Sequence, residues 1–234
     1  MNRTGDLLYA GADVLRTANA QAIRAVSTGQ QAVIDASGRR LAVASRSGIE
    51  VFDLGSSAAP LTIDPAINRL ESLAFSEDGT MVAAGGRDMR VKIFDAASGA
   101  MRRLLEHVEQ DQWMFRIHRL VFSPSGSLIA TLADDPTSTD VGRPGTVRVF
   151  EVASGREIAR FPFAELAHEV RFTAGDADLE IAVGRRRIRW ERHPLSAPAL
   201  IKEACRFVQR NMNEIEWVRF MGDGPRRETC GPPS

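Results

Sequence analysis

The sequence predicts an all-β fold built from repeated four-stranded antiparallel sheets, and three observations predict it. The first is the stretch Arg69–Gly99, which holds three short β-type runs, Leu70–Phe75, Met81–Ala84 and Arg90–Phe94. Turn signals Glu77-Asp78-Gly79 and Gly85-Gly86-Arg87-Asp88 separate them, Asp95–Gly99 closes the third, and a fourth run, Ala100–Leu105, follows directly. The second is recurrence: the turn pair returns as Ser37-Gly38, Asp78-Gly79 and Ser125-Gly126. The aromatic–acid pair that ends the third strand returns as Phe52-Asp53, Phe94-Asp95, Phe150-Glu151 and Trp190-Glu191, at intervals of 42, 56 and 40 residues. The third is physical. A lone four-stranded sheet with two apolar faces cannot bury both, so each unit needs a neighbour, and a period of about 40–45 residues with four strands per unit is that of propeller blades.

Taken in order, residues 6–27 read as a partial unit with strands Leu7–Ala10, Asp13–Thr17 and Ala22–Ser27. No innermost strand precedes them, so the chain is expected to begin inside a repeat. A second unit spans 31–64, a third 69–105, a fourth 117–163 and a fifth, lacking its last strand, 167–192. About 18 strands result, or four to five blades, at the low end of the range for propellers. The Asp-Gly turn, the Gly-Gly-x-Asp turn at Gly85–Asp88 and the aromatic–acid pair make the unit resemble a bacterial WD repeat. The resemblance implies that an N-terminal strand, here Ala22–Ser27, pairs with the incomplete last blade and closes the ring.

Residues 193–234 leave the repeat pattern. Ala199–Arg210 is helical by pattern, with Leu200, Ala204, Phe207 and Val208 on one face and Pro198 ahead of it. Asn213 is placed to cap a second helix that carries Glu216, Trp217, Val218 and Phe220 before a stop at Gly222. This tail resembles the one that follows the propeller in bacterial multidomain signalling proteins with STAND-type ATPase, caspase-like or Toll-interleukin-receptor-like modules. Ala204-Cys205, Arg210-Asn211-Met212, Glu216-Trp217 and Thr229-Cys230 carry the match; the aromatic before the arginines and the proline after the second cysteine are missing.

At 234 residues, 44% apolar and 26% charged, the chain is long enough for a sizeable core. Its formal net charge is zero, so no global field draws it to nucleic acid or an anionic membrane. The N-terminal stretch has no apolar run of signal-peptide length and nowhere do 18 apolar residues follow one another, which leads to a cytoplasmic assignment. Two cysteines, Cys205 and Cys230, do not define a disulfide-rich domain. In a reducing compartment they are expected as two buried thiols, with a disulfide as the lesser alternative.

No phosphate-binding loop, nucleophile elbow or zinc-binding His pair occurs, so catalytic residues, metal ligands and cofactors are all expected to be none. His107, His118 and His168 stand near the entries to inner strands and are expected to be structural, as are Asp88, Cys205, Trp217 and Cys230. Asp88 is expected to accept backbone N–H bonds in its turn. Arg185–Arg189 is the one basic cluster; alternation along a strand divides it, and Glu191, Glu203 and Glu214 are available to neutralise it. Two long polar segments, Glu106–Ile117 and Ala133–Gly145, are expected to emerge on the same side. They offer Asp134, Asp135 and Asp140 beside Glu109, Asp111, Trp113, Met114 and Phe115, an aromatic anchor with an acidic rim suited to a protein partner. The alternative is that Trp113 and Phe115 cover a blade edge.

These observations point to a non-catalytic protein–protein interaction scaffold or sensor module. The tail's resemblance adds a bacterial signalling or defence assembly with an effector or ATPase subunit as partner, and open blade edges add self-association. The competing readings are a hydrolase-like propeller enzyme with its site at the central mouth, and nucleic-acid binding through Arg185–Arg189.

Overall fold

The computed structural model describes residues 7–10, 13–16, 21–25, 31–45, 48–107, 116–134, 145–163, 165–173, 175–184, 187–208, 211, 213–221, 225 and 230. Among them, 18 strands form five antiparallel sheets and two helices follow. Sheet A holds β1 (Leu7–Ala10), β2 (Asp13–Arg16) and β3 (Gln21–Ala25). Sheet B holds β4 (Gln31–Ile34), β5 (Arg40–Ser45), β6 (Gly48–Asp53) and β7 (Leu61–Ile63). Sheet C holds β8 (Leu70–Phe75), β9 (Met81–Gly86), β10 (Arg90–Asp95) and β11 (Met101–Glu106). Sheet D holds β12 (Arg116–Phe122), β13 (Leu128–Asp134), β14 (Gly145–Glu151) and β15 (Glu157–Phe163). Sheet E holds β16 (Ala167–Thr173), β17 (Asp178–Val183) and β18 (Arg189–Pro194).

Each sheet is a meander, and the first strand of each lies beside the first strand of the next in the order β1, β4, β8, β12, β16. The first strand is therefore the inner one, and β1 is an inner strand. This corrects the sequence expectation that residues 6–27 are the tail of a unit. Its third strand, β3, pairs with β2 and not with β18, so the segment offered as the closing strand completes its own sheet instead. The local reason is that β1, β2 and β3 are joined by short connections, which favour pairing between neighbours in sequence over pairing across the array.

The turns between first and second strands explain why the units repeat. In sheets B, C and D the glycine N–H returns to the carbonyl three residues earlier, Gly38 to Asp35, Gly79 to Ser76 and Gly126 to Ser123, at 2.9–3.1 Å. Each glycine has φ near +70°, which L side chains rarely adopt. Gly79 is constrained twice, because a Cβ there would stand 2.8 Å from Asp35 Oδ2 of the preceding sheet.

Burial follows the blade pattern. Ile49, Val51, Val82, Ala84 and Phe94 pack between sheets B and C, and Ile93, Leu105, Ile117, Ile129 and Phe150 between C and D. Leu132, Val147, Val149, Phe161, Leu179, Ile181 and Val183 pack between D and E, while Val14 joins Leu41, Val43 and Phe52 between A and B. Polar staples tie neighbouring sheets: Arg40 Nη1 donates to Gly79 O at 2.7 Å, Ser72 Oγ to Ile117 O at 2.9 Å and Ser127 Oγ to Asp176 at 2.9 Å.

The aromatic positions need one correction. Phe52 pairs with Leu41, Phe94 with Val82 and Phe150 with Ile129, each opposite the second residue of the middle strand. In sheet E that register belongs to His193, opposite Leu179, and not to Trp190. The sequence match was displaced by three residues, and an odd displacement along a strand changes the face. His193 thus stacks on Phe161 at 4.5 Å inside the D–E interface, while Trp190 is 46% exposed on the far side of sheet E.

The tail forms α1 (Ala197–Val208) and α2 (Glu214–Met221). Leu195 is buried in the D–E core and Leu200 packs against it, which fixes α1 to the last two sheets. Trp217 is buried, and its N–H donates to Asn213 O at 2.9 Å in the first turn of α2. The side chains of Phe207, Val208 and Phe220 lie outside the described residues. Cys205 and Cys230 are joined in a disulfide, which corrects the expectation of two thiols. The Cys230 N–H donates to Asn211 Oδ1 at 2.8 Å, so a residue just past α1 holds the far cysteine within reach of the near one.

Candidate interaction surface

Three inner strands share an irregularity at the same end. The β8–β9 register shifts between Leu70 and Ser72, β12–β13 between Ile117 and Arg119, and β16–β17 between Ala167 and Glu169. Each shift is a bulge with one extra residue, and the extra residues are Glu71, His118 and His168. A bulge leaves its residue out of the ladder and re-aims its side chain. All three are polar, and all three lie where the chain enters a new sheet. Sequence reasoning singled out His118 and His168 but missed Glu71, because a bulge changes pairing without leaving a mark in composition.

Glu71 is the centre of the best-defined group on this face. Arg87 Nε donates to its Oε1 at 2.8 Å, Arg69 Nε stands 3.5 Å from Oε1, and Arg116 Nη1 lies 3.9 Å from Oε2. Arg69 precedes β8, Arg87 follows β9 and Arg116 begins the neighbouring inner strand, so one shielded carboxylate gathers three guanidinium groups from two sheets. The backbone beneath is strained: Ala66, Arg69 and Met89 have φ of +44°, +51° and +56°. A Cβ at Gly86 would fall 2.5 Å from Ile67 Cγ2 and 2.6 Å from Arg69 O, so only glycine allows the chain before β8 to pack this closely.

Further along the same rim, Arg119 Nη2 donates to Glu169 Oε2 at 2.6 Å between the inner strands of D and E. His168 Nε2 donates to Gly184 O at 2.6 Å, tying its bulge to the turn of its own sheet.

His107 is a different kind of residue. It is buried between C and D, its Nε2 is 3.1 Å from Thr131 Oγ1 and its ring lies 5.3 Å from Phe150. Burial pushes its pKa down to about 3, with Arg148 and Arg160 adding repulsion, so it is a neutral packing residue at ordinary pH. Asp88 departs from expectation: its Oδ1 is buried without a hydrogen-bond partner rather than accepting the N–H groups of its turn. Next to it Met89 adopts the left-handed conformation, and its carbonyl accepts the His107 N–H at 3.0 Å.

The two long polar segments depart from this same strand end. Arg116 pairs with Asp134, Asp134 with Gly145 and Gly145 with Phe163, so the four strand ends of sheet D stand side by side. Glu109, Asp111, Trp113, Met114, Phe115, Asp135 and Asp140 lie outside the described residues, as does the side chain of Asp134.

Among the described residues of the basic cluster, Arg189 opens β18 while Arg187 and Ile188 precede it, and all three are exposed. Arg189 donates to Glu165 at 2.7 Å and pairs with Glu191 at 2.9 Å; Arg185 and Arg186 lie outside the described residues. Among the described residues no group of three His, Cys, Asp or Glu side chains is arranged to hold a metal ion, and no helix is long and apolar enough to cross a membrane.

Comparison with known proteins agrees with this architecture. The profile of the family described as WD domain, G-beta repeat matches residues 67–95, which cover β8 to β10. Among solved structures the chain is similar to one described as the crystal structure of the mitotic checkpoint complex, with a TM-score of 0.64 at 17% identity. The alignment covers 83% of this chain and 59% of that one, so the chain spans about three fifths of the length of the structure it matches. No curated protein matches the sequence. The fold is an all-β array of WD-repeat propeller blades.

Proposed function

We propose that this WD-repeat array is a non-catalytic protein–protein interaction module whose partner seats on the strand-end face carrying Glu71, Arg87, Arg116 and the bulged histidines. The observation that carries this reading is the repeated bulge: three successive inner strands turn a polar side chain out of the ladder at one end. Binding residues concentrate on loops held by a rigid scaffold, and this end carries both long polar segments. Trp113 and Phe115 would anchor the partner, and Glu109, Asp111, Asp134, Asp135 and Asp140 would form a polar rim. Residues 6–192 act as the array and 193–234 as a tail attached to it. His107, Asp88, Trp217 and the cysteines serve the fold.

The resemblance of the tail to that of propeller-containing signalling proteins supports a finer reading. The partner is then an effector or ATPase subunit of a bacterial signalling or defence assembly in the cytoplasm. Self-association through the open edges of the end sheets is the alternative mode of assembly.

The test is cross-linking mass spectrometry on complexes captured from the native host. Cross-links should fall on the face of Arg69, Arg87 and residues 108–116, and Arg87→Glu and Trp113→Ala should each weaken capture. The Asp134→Ala, Asp135→Ala double variant should do the same. Loop-tip changes usually alter stability by no more than about 0.5 kcal/mol, so the Trp113 and the Asp134, Asp135 variants should melt as the parent does, whereas Arg87→Glu sets a second carboxylate against Glu71 and should melt earlier. Cross-links confined to the opposite end, around Asp78 and Ser125, would overturn the assignment.

A further inference from the structure

The five sheets bury their apolar residues against one another, and α1 shares that core through Leu195 and Leu200. The second helix is held differently. It is eight residues long, Ile215 is 80% and Val218 50% exposed, and Trp217 is its one buried apolar side chain among the described residues. An isolated helix shorter than about 12–15 residues is marginal in water. This one sits in a covalent loop closed by Cys205 in α1 and Cys230, 25 positions apart. Both cysteines are half-buried, not sealed in the core, so a small reagent can reach the bond.

We propose that Cys205–Cys230 is a reducible clasp that holds α2 and the following segment, and that its opening releases this part while leaving the five-sheet array intact. The chemistry is exchange with a 1,4-dithiol such as dithiothreitol. One thiolate attacks a protein sulfur, a mixed disulfide forms and one cysteine leaves as thiolate; the second thiol of the reagent then displaces the other. The dithiol ends as a cyclic disulfide, the protein as two thiols, and two electrons with two protons have passed to it. The freed segment presents Ile215, Trp217 and Val218 as an apolar strip that the closed form shows only in part. This inference is independent of the interaction face proposed above, which lies on the strand ends of sheets C and D.

The experiment uses the full chain. Native protein is alkylated without reduction, treated with dithiothreitol and alkylated again, and then digested briefly with trypsin, with fragments followed by mass. Before reduction neither cysteine should be labelled; afterwards both should be. Cleavage after Arg210 and Arg219 should accelerate by about tenfold or more, since cleavage tracks the population of opened chain. Cleavage after Arg87 and Arg102 in sheet C should not change. The Cys205→Ser, Cys230→Ser double variant should match the reduced protein without reductant, and if it fails to accumulate, reduction of the native chain still decides the question. Labelling before reduction would show that the bond does not form. Unchanged cleavage would show that α2 does not depend on it, and faster cleavage throughout would show a staple for the whole fold; each result overturns the proposal.

Discussion

His107 ties stability to pH in a way that can be calculated from its surroundings. It is 3% exposed between sheets C and D, and desolvation, reinforced by Arg148 and Arg160, lowers its pKa from 6.5 to about 3. The folded state therefore disfavours the imidazolium, whereas the unfolded chain protonates freely near pH 6.5. A depressed pKa gives stability that is present above the unfolded value and is lost as pH falls through the window between the two, here from about 6.5 toward 3. Between pH 7 and pH 5 the linkage relation gives a loss of about 2 kcal/mol from this group alone. His107→Gln keeps a side chain that can bond Thr131 but removes the titration. Urea unfolding of parent and variant at pH 7 and pH 5 then isolates the effect, because shared carboxylate contributions cancel. The parent should lose about 2 kcal/mol more than the variant over this interval. Equal losses would show that His107 takes its proton without unfolding, and the buried, neutral assignment would fail.

Glu157→Gln removes the carboxylate 3.3 Å from the buried Arg148 guanidinium and should cost about 3 kcal/mol in urea unfolding. Arg148→Met in that background should recover part of the loss, and a cost below about 1 kcal/mol would reduce the pair to a surface contact. Gly79→Ala meets both a positive φ and Asp35 Oδ2, and should cost about 1–2 kcal/mol by thermal melting. Removing residues 1–28 strips Val14 from Leu41, Val43 and Phe52, so the shortened chain should melt earlier and self-associate in light scattering; an unchanged monomer would show that sheet A contributes nothing to the core.

Much of the array was legible because its signals are local. The left-handed glycines of the Ser37-Gly38, Asp78-Gly79 and Ser125-Gly126 turns declare themselves in a single dipeptide, and Phe52, Phe94 and Phe150 repeat because each fills the same place against the preceding sheet. The features that escaped notice depend on pairing. Trp190-Glu191 matched the aromatic–acid pattern better than His193-Pro194, yet register gives the buried position to the histidine, and composition carries no register. The inner role of β1 follows from its place beside β4, which no property of Leu7–Ala10 could announce. Glu71 and its three arginines are far apart in sequence until β8 and β12 are set side by side. The disulfide is legible only as two cysteines, and the choice between thiols and a bond rests on the fold between them.

The two sides of sheet E differ in charge. Its near side presents Leu179, Ile181 and Val183 to sheet D, as every interior sheet presents aliphatic residues to its neighbour. Its far side is built differently. Arg171 donates to Glu180 through both Nε and Nη2 at 2.9 and 2.7 Å and lies 4.1 Å over the Trp190 ring, and Arg192 Nε donates to Asp178 at 3.1 Å. A further blade would have to desolvate these ion pairs, and the attraction regained on burial rarely offsets that cost. Left in water they cost nothing, and the guanidinium over Trp190 shields an aromatic ring that would otherwise be an adhesive spot. Terminal units of stacked repeats need a polar outer face for solubility, and sheet E has one. A partner seated on this side would therefore have to desolvate Arg171, Trp190 and Arg192, which the aliphatic near side does not ask of sheet D.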